Sequence, residues 1–392
     1  MFKRKIQSTI EKHLRSDDSR ILVITGARQI GKTYIIRNIG QSMFKNYVEI
    51  NMAEDAVGDR LFAEAKTLGD FYVALSSYAG NRLKTRDNTL VFIDEIQTYA
   101  HLLTLIKFLR QDNRYTYIAS GSLLGVTLKE TVSVPVGSIA IVQMYPMDFE
   151  EFLWANGVGE EAIESLYEHY ISKESLAENM HNYYMSLFKR YLLVGGLPNA
   201  VSTYLKTSNI MRVRQIQEEI HHLYLVDAAR YEEEARRRLK IQRIYEMIPS
   251  NLENKKKRMV ARQIEDKRQA RMVDYQDEFE YLIHSGIALQ VNAISQPQYP
   301  VTANIGKNLL KLYMNDVGLF SAILFGNNVK PILEDIRSIN LGALYESLVA
   351  QELAAQGFRL TYYDNKQLGE VDYLIDDYEN MSILPIEVKS GR

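Results

Sequence analysis

Five short apolar runs punctuate the first third of the chain: Ile21–Thr25 (ILVIT), Tyr47–Asn51 (YVEIN), Thr89–Ile93 (TLVFI), Thr116–Ser120 (TYIAS) and Ile139–Met144 (IAIVQM). Each is apolar at consecutive positions instead of alternating, the pattern of strands buried on both faces of a parallel sheet. The polar stretches between them are long enough for crossover helices. Residues from about 20 to about 145 are therefore expected to form a doubly wound α/β domain. Ahead of them, Phe2, Ile6, Ile10 and Leu14 recur every four residues, which predicts a short amphipathic helix over residues 1–18.

Past Pro146 the pattern changes. Residues 148–230 carry helical periodicity, broken by Gly195-Gly196-Leu197-Pro198, and read as a helical lid. Residues 231–337 offer helices followed by the apolar runs Ile287–Val291 and Leu309–Tyr313, with Pro297 and Pro300 in the loop between them. That order suits a winged helix. From residue 338 a helix over Leu341–Gln356 precedes Arg359–Tyr363, Glu370–Ile375 and Ile383–Val388, which read as a meander of strands. The expected division is 1–147, 148–230, 231–337 and 338–392.

Composition narrows the function classes. With 46% hydrophobic and 24% charged residues the chain is an ordinary folded one. Its net charge of −2 restricts any nucleic-acid contact to a local patch. The absence of cysteine excludes disulfides, thiolate zinc sites and cysteine nucleophiles, and fits a cytoplasmic setting. No apolar stretch approaches the ~18 residues of a membrane span, so no membrane partner is expected.

The sharpest chemical signal is Gly26-Ala27-Arg28-Gln29-Ile30-Gly31-Lys32-Thr33, a G-x-x-x-x-G-K-[ST] string between a strand and a helix. Its glycines let successive N–H groups face phosphate oxygens, and the following helix adds its positive end. Lys32 is expected at the β- and γ-phosphates of ATP, and Thr33 at Mg²⁺. Leu90–Ile93 then deliver Asp94 and Glu95 at a strand end, Asp94 for the Mg²⁺ shell and Glu95 to orient and deprotonate water. At the end of the next strand, Ser120 and Ser122 serve either the γ-phosphate region or the cap of a helix. Arg28, Arg60, Arg114 and Arg190 are candidate transition-state cations, and spacing does not choose among them.

Two further features lie downstream. Between Arg236 and Arg271 thirteen basic residues face four acidic ones, a local charge of +9. They are Arg236, Arg237, Arg238, Lys240, Arg243, Lys255, Lys256, Lys257, Arg258, Arg262, Lys267, Arg268 and Arg271, against Glu246, Glu253, Glu265 and Asp266. This is either a phosphate-backbone footprint for DNA or a solvated face pairing with Glu232-Glu233-Glu234. Near the C-terminus stand Asp372 and Glu387-Val388-Lys389, with Glu346 on the preceding helix. An acid on one strand and an acid-x-lysine on the next is a pattern of metal-dependent phosphodiester cleavage. Here Asp372, Glu387 and Glu346 would hold a second divalent ion beside Lys389. The sequence ends at Arg392, whereas a nuclease core of this kind continues further, so the expected nuclease-like domain is partial.

GARQIGKT, LVFIDEIQ, ASGSLL, YPMDFEEFL, LVGGLPNAV, YMNDVGLF and GEVDYLI…PIEVKSG together resemble a bacterial and archaeal family of AAA-type ATPases with a C-terminal DUF4143 region. The resemblance implies an AAA-type P-loop NTPase fold, a parallel sheet with helices on both faces. It also implies ATP binding and hydrolysis with Mg²⁺, a winged helix and a partial PD-(D/E)xK nuclease-like α/β domain. The family's ATP-site residues map onto Gly26, Gly31, Lys32, Thr33, Asp94 and Glu95, and its nuclease-like set onto Glu346, Asp372, Glu387 and Lys389. Relatives carry a Gly-Arg pair before YPMDFEEFL, where this chain has Pro135-Val136-Gly137-Ser138, so no arginine sensor is expected there. The reading is an ATP-driven switch or motor acting on DNA, with a nucleotide-gated scaffold as the alternative; oligomeric state stays open.

Overall fold

The computed structural model describes residues 2–122, 137–230, 235–254, 257–265, 269–334, 336 and 339–389. Two compact units divide the chain, Arg4–Met144 and Tyr145–Arg392, the latter including Met1–Lys3.

In the first unit five parallel strands form one sheet: β1 (Ile21–Thr25), β2 (Asn46–Asn51), β3 (Thr89–Asp94), β4 (Thr116–Gly121) and β5 (Ile139–Gln143), in the order β2-β3-β4-β1-β5. Every residue of β1 and β3 is buried, as their unbroken apolar runs require, while the edge strands β2 and β5 are partly exposed. Helices cover both faces. Among them, Leu68–Ala79 is started by a reciprocal Thr67–Asp70 capping box, and Ala100–Asp112 buries Leu102, Leu103, Ile106 and Leu109. The core joins these side chains to Val23, Val91, Ile93, Phe71 and Leu75. Thr25 stands opposite Gly121 and Asn51 opposite Asp94, so the C-terminal strand ends share one edge. Open α/β sheets bind ligands at that edge, beside the point where strand order reverses.

The second unit begins with helices. Asp148 and Glu151 cap Phe149–Ala155 reciprocally, and Pro198 starts Pro198–Thr207 at a position where its missing N–H costs nothing. Three of the sequence motifs meet at one buried node. Asp316 accepts hydrogen bonds from Gly196 N at 2.6 Å and from Leu319 N at 2.9 Å, capping Val317–Phe325. Met147 N donates to Gly196 O at 2.8 Å, and the Tyr191 hydroxyl donates to Met147 O at 2.5 Å. A Cβ on Gly196 would lie 2.0 Å from Met147 O, so that close approach requires glycine.

A second sheet follows, made of β6 (Ala288–Ile294), β7 (Ile305–Met314), β8 (Thr361–Asn365), β9 (Gly369–Asp377) and β10 (Ser382–Ile386), in the order β10-β9-β8-β6-β7. β6 and β7 form an antiparallel hairpin behind the helices Ala235–Glu253, Ala261–Glu265 and Gln276–His284. β8, β9 and β10 form the expected meander. β6 also pairs with β8 in parallel, Asn292 opposite Thr361 and Ala293 opposite Tyr362. The boundary expected between residues 337 and 338 therefore falls inside one mixed sheet. Among the described residues no helix is long and apolar enough to cross a membrane.

Candidate nucleotide site

Gly26 leaves the end of β1 with φ 133° and Gly31 precedes the helix Lys32–Met43 with φ 95°, both in the region that favours glycine. A Cβ on Gly26 would sit 2.3 Å from the Met144 carbonyl oxygen, so the loop folds tightly against the neighbouring backbone. Ala27 and Ile30 are buried, Arg28 and Gln29 complete the turn, and Gln29 also has positive φ. The buried Arg4 supports this loop by donating from Nη1 to Ile30 O at 3.1 Å.

Lys32 is 6% exposed and its ammonium donates to Gly26 O at 2.8 Å and Ala27 O at 2.7 Å, closing the loop into a ring. Burial pushes its pKa down to about 8, with Arg28 acting in the same direction and Glu95 and Asp94 opposing it. Thr33 donates its hydroxyl to Asp94 Oδ2 at 2.8 Å. The Ser120 hydroxyl donates to the other oxygen, Asp94 Oδ1. Burial raises the Asp94 pKa, opposed by those two hydrogen bonds. Glu95 takes the left-handed conformation (φ 51°, ψ 44°), and its Oε2 accepts from Gln97 Nε2 at 2.5 Å and from the Ser122 hydroxyl at 3.3 Å. Gln97 Oε1 is buried without a hydrogen-bond partner among the described residues.

The structure thus brings Gly26–Thr33, Asp94, Glu95, Ser120 and Ser122 together. The two serines hold the acid pair; their alternative role as a helix cap concerns residues 123–136, which lie outside the described residues. The sequence reading missed Arg4 and Gln97. Gln97 stood inside LVFIDEIQ, two positions after Glu95, and that spacing was the available signal.

Residues 18–153 match the family model of the AAA domain, and residues 341–392 that of a domain of unknown function, DUF4143. The chain joins an AAA domain to a DUF4143 region. Between them, residues 185–330 match a further domain of unknown function, DUF8612. Similar solved structures include a Walker-type ATPase of Pyrococcus abyssi, 15% identical, covering 83% of this chain and 96% of that one with a TM-score of 0.49. They also include the RuvB Holliday junction branch migration motor of Thermotoga maritima, 15% identical, covering 76% of this chain and 91% of that one with a TM-score of 0.33. No curated protein matches the chain.

Within the AAA domain the candidate arginines separate. Arg28 sits in the loop, and its charge acts on Lys32. Arg114 precedes β4, at the strand end opposite the loop, and its guanidinium lies over the Tyr72 ring at 4.7 Å. It is therefore not a phosphate ligand in this arrangement. Arg60 has positive φ and its N–H donates to Asp55 O at 3.0 Å. Arg190 belongs to the other unit. Pro135 and Val136 lie outside the described residues.

In the DUF4143 region the carboxylates each have a committed partner. Glu346, on the helix Gly342–Ala355, forms an ion pair with Lys257 and accepts from the Tyr313 hydroxyl at 3.2 Å. Burial raises its pKa, Lys257 opposes that, and the charge of Asp372 adds to it. Asp372 Oδ2 accepts from Val388 N at 2.8 Å, and Glu387 pairs with Lys389 at 2.6 Å. Among the described residues no group of three or more His, Cys, Asp or Glu side chains is arranged to hold a metal ion. Lysines and a backbone amide are thus the partners of Glu346, Asp372 and Glu387, the acids expected to form a second metal set.

The basic segment is partly paired from within. Arg236 lies 3.3 Å from Glu265, Arg237 3.9 Å from Asp277, Lys240 3.5 Å from Glu278 and Arg271 3.6 Å from Asp274. Arg238, Arg243, Arg258 and Arg262 make no ion pair among the described residues. Lys255, Lys256, Asp266, Lys267, Arg268 and the run Glu232–Glu234 lie outside them.

Proposed function

We propose that the chain binds and hydrolyses ATP with Mg²⁺ in the loop Gly26–Thr33, and couples the cycle to an action on DNA. The observation carrying the first part is the joint placement of Lys32, the Thr33–Asp94 pair and Glu95 around one tight loop. Lys32 now donates to loop carbonyls, and a triphosphate offers it stronger anionic acceptors in their place. Thr33 and Asp94 form the hydroxyl-and-carboxylate donor set suited to a hard divalent cation. A bound Mg²⁺ neutralises charge on the phosphate oxygens. Glu95, fixed by Gln97 and Ser122, orients water and takes its proton, while the orphaned Gln97 carbonyl oxygen supplies an acceptor for that water.

The test is steady-state hydrolysis alongside nucleotide binding. Lys32→Ala should lose both. Glu95→Gln should keep binding and lose turnover by about 10²–10⁴-fold, equivalent to about 3–5 kcal/mol of transition-state stabilisation. Undiminished turnover in both variants removes the assignment. DNA action is supported by the excess of basic residues over 236–271 and is tested by ATPase stimulation on adding DNA. The lysine-paired carboxylates favour a second reading of the DUF4143 region, a module that binds without cutting. Mn²⁺-dependent DNA cleavage lost in Asp372→Ala would decide against that reading.

A further inference from the structure

The three ion pairs around the C-terminal acids differ in kind. Lys389 and Glu387 are both exposed, and such a pair contributes little. Lys311 is fully buried, reaches the part-exposed Glu370 at 2.9 Å and lies over the Tyr362 ring at 4.4 Å. Lys257 and Glu346 form the pair that matters here: the Glu346 side chain is 4% exposed and that of Lys257 23%. A carboxylate so deep requires a compensating cation.

Both partners are held in place. The helix Gly342–Ala355 carries Glu346, and its carboxylate accepts from Tyr313 of β7. The Tyr373 hydroxyl of β9 donates to its main-chain carbonyl at 2.8 Å. Asp372, next to Tyr373, acts electrostatically on the same carboxylate. Lys257 comes from outside the sheet. It closes a turn after the helix Ala235–Glu253, donating N–H to Asn254 O at 3.1 Å in a left-handed conformation (φ 48°). Two residues later, Met259 N donates to Leu310 O of β7 at 3.1 Å. Backbone contacts on both sides thus bring one ammonium onto the Glu346 carboxylate, one of the acids expected as metal ligands.

We propose that Lys257 is a resident cation for Glu346, taking the place of a divalent metal and keeping the DUF4143 region metal-free. An ammonium and a metal ion compete for the same carboxylate oxygens, so the pair with Lys257 excludes the ion as long as it is closed. The inference deepens the binding-without-cutting reading of that region, and it stands apart from ATP hydrolysis in the AAA domain.

The experiment is Mn²⁺ titration of the nucleotide-free full chain, followed calorimetrically and by the resonance of free Mn²⁺. The wild type should show no Mn²⁺ site that Asp372→Asn abolishes. Lys257→Ala and Lys257→Gln should each gain Mn²⁺ affinity by about tenfold or more, the scale on which neighbouring groups tune metal sites. Adding Glu346→Gln to either should remove the gain. Lys257→Gln keeps a hydrogen-bond donor towards Glu346, so it carries the test if Lys257→Ala fails to fold. A wild-type site lost in Asp372→Asn overturns the proposal, and so does a folded Lys257 variant with no gain. Failure of the ATPase assignment would appear only in the Lys32 and Glu95 variants, so the two are separable.

Discussion

Glu95 holds a left-handed backbone that costs a non-glycine residue about 1–2 kcal/mol, and the Gln97 and Ser122 hydrogen bonds fix the side chain in the resulting direction. Gln97→Leu removes the nearer of these donors. It should lower kcat by about 10–100-fold with nucleotide affinity kept, on the scale lost when a catalytic group is poorly positioned; single-turnover hydrolysis measures it. Lys32 gives a pH prediction. Its folded-state pKa of about 8 lies below the ordinary 10.5 because it is buried. In the ligand-free protein this contribution to stability is full above the unfolded value and is lost as pH falls through about 8. Phosphate binding needs the ammonium, so nucleotide affinity should fall by up to about tenfold per pH unit above 8, which nucleotide titration from about pH 7 to 9.5 measures. The sequence exposed Lys32, Thr33, Asp94 and Glu95 because phosphate chemistry fixes residue types at fixed spacing. It did not expose Arg4, which reaches the loop from 26 positions away through a backbone carbonyl, a partner that leaves no mark on residue type.

Among elements, the node around Asp316 explains why LVGGLPNAV, YPMDFEEFL and YMNDVGLF stand out: a buried carboxylate needs glycine-lined amides close by. Burial raises the Asp316 pKa to about 6 against an ordinary 3.8. Its contribution is therefore fully present below about pH 4 and lost as pH rises through about 6, by roughly 3 kcal/mol if the whole shift is expressed. Urea unfolding at pH 4.5 to 7 should show that loss in the wild type and a flatter profile in Asp316→Asn. Gly196→Ala should destabilise the same unit by several kcal/mol, because its methyl group meets the Met147 backbone oxygen; thermal unfolding checks it. The strands of this unit were legible only in their apolar middles. Leu309–Tyr313 was readable, with the fully buried Lys311 inside it, while the observed β7 begins four residues earlier at Ile305. Ladder pairing with β6 extends the strand over residues that a hydrophobic pattern assigns to a loop.

For the whole molecule, the described residues of the +9 segment divide into those with acidic partners and four arginines without one. If Arg238, Arg243, Arg258 and Arg262 are the DNA contacts, log affinity against log salt should have a slope of about −3.6, and neutralising Arg243 and Arg262 should flatten it by about two. A salt-independent affinity would point to a protein partner. The AAA sheet was legible because each of its strands pairs with others of the same apolar kind. The mixed sheet was not, because the parallel pairing of Asn292 with Thr361 spans 69 positions and neither residue advertises its partner. That pairing bears on solubility. A fragment ending at residue 337 would leave the outer rim of β6 without its neighbour, presenting bare amides and carbonyls to other chains, and such a piece should aggregate where the 392-residue chain does not.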